Sequence, residues 1–248
     1  MKFPRFLLPL ALLAAALAAP AQAEDSLTPA QQDQVRQIVR DYLMEHPEVL
    51  MESLRAYQAR MEEEQRNQQQ AALGTLRDEI ERDGVSPVAG APDGDVTVVE
   101  FMDYRCGYCK KVFPALRELI ESDGNIRYVV KELPILGPDS VLASRAALAV
   151  WRTEPEKYMG FHTALMEARG GLTENKLMVI AADLGIEPDG LRTAMQAPEV
   201  EAIIQRNHEL ASKLGIGGTP AFIIGEHFIP GAVSAENLKA LVAAAREG

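Results

Sequence analysis

The chain has 248 residues, with 25 Lys and Arg against 36 Asp and Glu, a formal net charge of −11. That acidic balance excludes nucleic acid as a partner. Two cysteines, and histidines scattered at 46, 162, 208 and 227, lack zinc-ligand spacing, so no metal site and no cofactor is expected.

Lys2 and Arg5, a 14-residue apolar run over 6–19 and then Ala21-Gln22-Ala23 have the layout of a secretory signal peptide, cleaved after Ala23. The run is too short to span a bilayer comfortably, and no other apolar stretch approaches ~20 residues, so stable membrane insertion is not expected. Its small-residue end with Pro20 points to a bacterial periplasm. Removing residues 1–23 takes away two basic side chains and no acid, which leaves 23 against 36, a net −13.

Residues 24–85 read as an N-terminal α-helical oligomerisation segment and linker. Thr28-Pro29-Ala30-Gln31 combines an N-cap, a proline at the first helical position and a capping-box glutamine. Val35, Ile38, Val39, Tyr42 and Leu43 line one face, and His46-Pro47 should end that helix, because a residue before proline avoids the α region. A second helix from Pro47 carries Val49, Leu50, Leu54, Tyr57 and Met61. A polar run over 62–70 (EEEQRNQQQ) then offers nothing to bury, as a solvated helix or a tether, before Leu73, Leu76 and Ile80 resume the pattern. Isolated helices are marginal in water, so such narrow stripes must pack on something. They could cover the catalytic domain or pair with copies of themselves as a short coiled-coil-like assembly, and self-association is the favoured reading.

Residues 86–248 read as an α/β catalytic domain. Val96, Val98, Val99 and Phe101 form a short buried strand, followed by Cys106-Gly107-Tyr108-Cys109 at the mouth of a helix marked by Val112, Phe113, Leu116, Leu119 and Ile120. A helix N-terminus offers unpaired N–H groups and a positive dipole end, both of which favour a thiolate over a thiol. Cys106 gains most, and Cys109, one turn on, is placed to resolve a mixed disulfide. A purely structural crosslink is disfavoured, since so short a loop is worth only ~2 kcal/mol. A second strand over Ile126–Glu132 completes a βαβ unit. A helical insertion follows over about 138–214, and then Gly217-Gly218-Thr219-Pro220, a hairpin over 221–229 and a final helix capped by Ser234.

The element order, the CGYC at a helix start and the GGTPAF loop resemble the thioredoxin-like fold with a helical insertion found in the DsbA family. The N-terminal helices resemble the trimerisation segment of ScsC-type suppressor of copper sensitivity proteins. This resemblance implies that Cys106 is the nucleophile and Cys109 the resolving cysteine of a redox-active disulfide. It makes Pro220 a cis-proline, Thr219 the residue whose backbone contacts substrate, and Glu100 an acid beneath the cysteines that modulates their pKa. Gly107 and Tyr108 stand in the active-site loop where oxidases of the family carry Pro-His, and Gly-Tyr is similar to the pair in disulfide isomerases.

The expected function is therefore a periplasmic thiol-disulfide oxidoreductase that isomerises disulfides of exported proteins. The resemblance implies a membrane thiol-disulfide reductase as partner and a homo-oligomer, a trimer. The alternatives are a DsbA-like dithiol oxidase and a Cu(I)-binding copper-tolerance protein. Two soft ligands without a methionine cluster disfavour the latter as the main role.

Overall fold

A computed structural model describes residues 27–247, so residues 1–23, read above as a signal peptide, lie outside the described residues. The chain divides into two compact units at the Arg60/Met61 junction.

In the first unit, helix α1 (Pro29–Glu45) begins at Thr28, whose side chain accepts the Gln31 N–H while Gln31 Oε1 accepts the Thr28 N–H at 2.9 Å. His46 ends the helix in a non-helical conformation (φ −124°, ψ 64°), as Pro47 requires. Helix α2 (Pro47–Thr75) follows, and the polar run is helical throughout. No residue of α1 is buried, and Ile38, Val39, Tyr42, Leu50, Leu54 and Tyr57 are all at least half exposed.

The second unit starts within α2. Leu73, and Ile80 from the short helix α3 (Arg77–Glu81), are buried against the sheet. That sheet contains β1 (Val88–Gly90), β2 (Val96–Met102), β3 (Ile126–Glu132), β4 (Ala221–Ile224) and β5 (His227–Pro230), in the spatial order β1-β3-β2-β4-β5. Strands β2 and β3 are parallel and joined through α4 (Gly107–Asp123); every other pairing is antiparallel. The helical insertion supplies α5 (Pro138–Thr153), α6 (Tyr158–Glu167), α7 (Glu174–Asp183), α8 (Pro188–Ala194) and α9 (Pro198–Lys213), and α10 (Ala235–Glu247) closes the chain.

Strand β1 has no counterpart in the sequence reading. Three residues are too few to show alternation, and the strand exists only through its pairing with β3. Gly90 is required there: its φ is +70°, and a Cβ would lie 2.3 Å from the Ile126 carbonyl oxygen.

Strand alternation gives the sheet two different faces. Val98, Met102, Tyr128, Val130, Phe222 and Ile224 join the larger core beneath α4, α10 and the insertion. Val99, Phe101, Val129 and Ile223 meet Leu73, Ile80, Leu210 of α9 and Leu214 at its C-cap on the other side. Lys131 points to this second face, fully buried, and donates to the Glu79 carbonyl and to Asp83 Oδ2, each at 2.8 Å. Burial disfavours its ammonium, and the Asp83 carboxylate opposes that effect.

Removing one partner of a buried pair strands the other charge. Asp83→Asn is expected to cost about 3 kcal/mol in urea unfolding. Adding Lys131→Met should recover most of that loss, and an unshifted midpoint for Asp83→Asn would show that the ammonium finds water.

Candidate active site

Where β2 ends, the buried carboxylate of Asp103 fixes the turn that follows. Its Oδ1 accepts the Arg105 N–H (2.7 Å) and the Ser140 hydroxyl (2.8 Å), and its Oδ2 accepts the N–H groups of Ile135 (2.9 Å) and Leu136 (3.0 Å). The Cys106 N–H donates to the Asp103 carbonyl at 3.0 Å. Cys106 is thereby the N-cap of α4, in extended geometry, and its Sγ accepts the Cys109 N–H at 3.4 Å. Neither cysteine is in a disulfide.

The two sulfurs occupy unlike surroundings. Cys106 retains 6 % exposure at the helix mouth, whereas Cys109 is fully enclosed. Burial, and then the nearby Glu100 carboxylate, push the Cys109 thiol far up. The next side chain, Lys110, donates to the carbonyls of Leu165, Met166 and Ala168 at 2.8–3.1 Å, locking α4 to the C-terminal end of α6.

The Thr219–Pro220 bond is cis, and the loop carrying it comes from the far end of the sequence to meet the cysteines. The Cys106 thiol donates to the Thr219 carbonyl at 3.1 Å across 113 residues of chain. Tyr108 projects outward, 65 % exposed. A Cβ on Gly107 would meet nothing within 4 Å, so that glycine is not demanded by space. The structure thus brings Cys106, Cys109, Thr219 and Pro220 together and sets Glu100 beneath Cys109.

Glu100 is fully buried, on the same sheet face as Val98 and Met102. Its Oε2 accepts the Tyr128 hydroxyl at 2.5 Å, and its Oε1 is unpartnered. Burial pushes its pKa up to about 7, against the pull of the Tyr128 hydrogen bond. A second buried cluster escaped the sequence reading. Glu132 accepts the Tyr104 and Ser144 hydroxyls, both at 2.8 Å, and burial raises its pKa to about 8. Tyr104 also meets His162 Nδ1 at 2.8 Å, and burial lowers that imidazole to about 3. The His162 ring packs edge-on against Phe113 of α4. One signal for this cluster was available: Glu132 ends an apolar strand at the same inward parity as Tyr128 and Val130.

A family model described as a DSBA-like thioredoxin domain matches residues 97–243. The chain belongs to that family. It is a thiol-disulfide oxidoreductase of the DsbA type. Residues 31–64 match a second model, the N-terminal domain of the copper resistance protein ScsC. A thioredoxin-like oxidoreductase from Silicibacter pomeroyi is 42% identical, over 69% of this chain and 98% of that one, with a TM-score of 0.66. Proteus mirabilis ScsC in a transitional conformation is 33% identical over 90% of this chain and 98% of its own, with a TM-score of 0.67. The disulfide bond formation protein D of Bacillus subtilis is 27% identical over 164 residues, 62% of this chain and 73% of that protein. The chain spans about a quarter of further curated relatives, Na(+)/H(+) antiporters of Salinispora. Among the described residues no helix is long and apolar enough to cross a membrane.

A raised carboxyl pKa favours the neutral form in the folded state. The stability Glu100 contributes is therefore complete below its ordinary value of 4.5 and is lost as pH rises through about 7. Glu100→Gln keeps an acceptor for Tyr128 and removes that loss. In urea titrations, variant stability minus wild-type stability should grow by about 3 kcal/mol between those two pH values. A flat difference would mean that the carboxylate is solvated.

Proposed function

We propose that this chain is a periplasmic disulfide isomerase of exported proteins, with Cys106 as its nucleophile and Cys109 as its resolving thiol. The observation that carries the reading is the seat of Cys106 Sγ: an N-cap atom receiving a helix N–H, beside the Thr219 carbonyl. A thiolate there gains the helix dipole and a charge-assisted hydrogen bond from the Cys109 N–H, which oppose the loss of the thiol's donation to the Thr219 carbonyl.

In the first step the Cys106 thiolate attacks one sulfur of a client disulfide. A Cys106–client bond forms, the client S–S bond breaks, and the second client sulfur leaves as a thiolate. A client thiolate then attacks the client sulfur of that mixed disulfide and restores the Cys106 thiolate, so that pairing changes without net electron transfer. Alternatively Cys109 loses its proton and attacks Cys106, which passes two electrons to the client and leaves Cys106 and Cys109 oxidised. The high thiol pKa of Cys109 makes this second exit slow and gives the client time to rearrange. The exposed Tyr108 ring and the Thr219 backbone hold the client meanwhile. A membrane thiol-disulfide reductase returns any oxidised protein to the dithiol.

The half-exposed stripes of α1 and α2 support a homo-oligomer, a trimer by likeness to ScsC, which places several cysteine sites around one client. The copper-resistance description of that N-terminal family supports assigning the activity to copper tolerance.

The reduced protein should reactivate scrambled ribonuclease. Cys106→Ala should abolish this, and Cys109→Ser should keep shuffling while accumulating mixed disulfides on non-reducing gels. No reactivation by the reduced wild type would defeat the isomerase reading. Independently, Ile38→Asp with Tyr42→Asp should reduce the mass by light scattering to that of one chain. An unchanged mass would place the interface elsewhere.

A further inference from the structure

Beside the cis-proline loop lies a groove of about 550 Å³. The loop residues Gly217, Gly218 and Thr219 form part of its lining, and Gln65, Arg66 and Gln69 of α2 form another wall. Gln69 seats the helix there by donating to the Leu214 carbonyl at 2.8 Å, whereas Gln65 and Arg66 are exposed. A Cβ built on Gly217 or Gly218 would meet nothing within 4 Å, so these glycines are not there to relieve internal crowding. They leave a strip of backbone that another chain can approach closely. The groove reaches Thr219, whose carbonyl is 3.1 Å from Cys106 Sγ.

We propose that α2 supplies a wall of the client site, with Gln65 and Arg66 contacting the extended segment of polypeptide that flanks the attacked client cysteine. This rests on the redox role given above to Cys106. The chemistry of the wall selects the occupant. A glutamine amide donates and accepts as a peptide unit does, and a guanidinium offers five donors to carbonyl oxygens. Arg66 stands 4.0 Å from Glu62 with both side chains about 70 % exposed, so this wall carries little net charge in an otherwise acidic chain. Such a surface holds an extended backbone of either charge rather than one sequence, and that is what clients sharing only a cysteine require.

The test uses the full-length reduced chain and two probes with the same leaving group. One is a short unstructured peptide whose single cysteine is a thionitrobenzoate mixed disulfide, and the other is cysteine amide as the same mixed disulfide. Release of the coloured thiolate gives a second-order rate for each, and their ratio isolates the flanking chain from the reactivity of the sulfur. In Gln65→Ala/Arg66→Ala the peptide-to-cysteine ratio should fall about fivefold to tenfold, the worth of one or two hydrogen bonds made by exposed side chains. Gln65→Trp, which fills the groove, should lower the ratio at least as far. A ratio unchanged in both variants overturns the proposal. A wild type slow with both probes would instead defeat the redox reading of Cys106, and the proposal with it.

Discussion

One hydrogen bond, from the Cys109 N–H to Cys106 Sγ, expresses the constraint on which the molecule depends: a sulfur must serve as the first capping atom of α4. Ordinary N-caps are oxygen-bearing side chains, and a thiol in that position is a poor acceptor until it ionises. The same sulfur also donates to the Thr219 carbonyl, so it is held from both the helix and the cis-proline loop. Holding the sulfur in place takes more than the helix, because the turn before it must be rigid. Asp103 supplies that rigidity with four accepted hydrogen bonds from three separate stretches of chain. Three residues further on, the same helix carries an identical side chain into the apolar interior, where ionisation is disfavoured. Two chemically equal thiols are thus made unequal by a single helical turn.

The buried ionisable groups are sorted by sheet face. Glu100 and Glu132 lie on the α4 side with the tyrosines, and both are pushed toward neutrality by burial. Lys131 lies on the opposite side and retains a carboxylate partner. The arrangement avoids an uncompensated charge in either layer, because a carboxyl kept protonated can still hydrogen-bond without a counter-ion. His162 follows the same logic as a neutral ring among aromatic side chains, with Nε2 left unpartnered.

Much of this was legible in the sequence, because the decisive signals are local. Cys106 to Cys109 at a strand-to-helix junction, the break at His46-Pro47, and the Gly225-Glu226 turn between β4 and β5 each lie within a few residues of what they determine. Glu100 is placed beneath the cysteines only through the family resemblance, and its parity along β2 agrees with that position. Parity could point Glu132 inward, but neither its cluster with Tyr104 and His162 nor the contacts of Asp103 with Ile135 could be read, since these hydrogen bonds join residues 28 to 58 positions apart that share no motif. Strand β1 failed for a related reason, as its three residues have no identity apart from β3. The cis isomer at Thr219–Pro220 is implied by the family resemblance and not by the residues themselves, because the intrinsic preference of an X–Pro bond is small enough for its surroundings to decide.

The opposed placement of Lys131 and its neighbours has a further consequence for β3. Its side chains alternate between a face that tolerates only neutral acids and a face that holds a paired cation. Sliding this strand by one residue against β2 would turn the ammonium toward the cysteine layer and push Tyr128 and Glu132 against α9. Apolar residues such as Val129 and Val130 could exchange faces at little cost, but these polar ones could not. The ionisable residues of β3 therefore act as registration marks, which penalise misthreaded pairings that hydrophobicity alone would let pass.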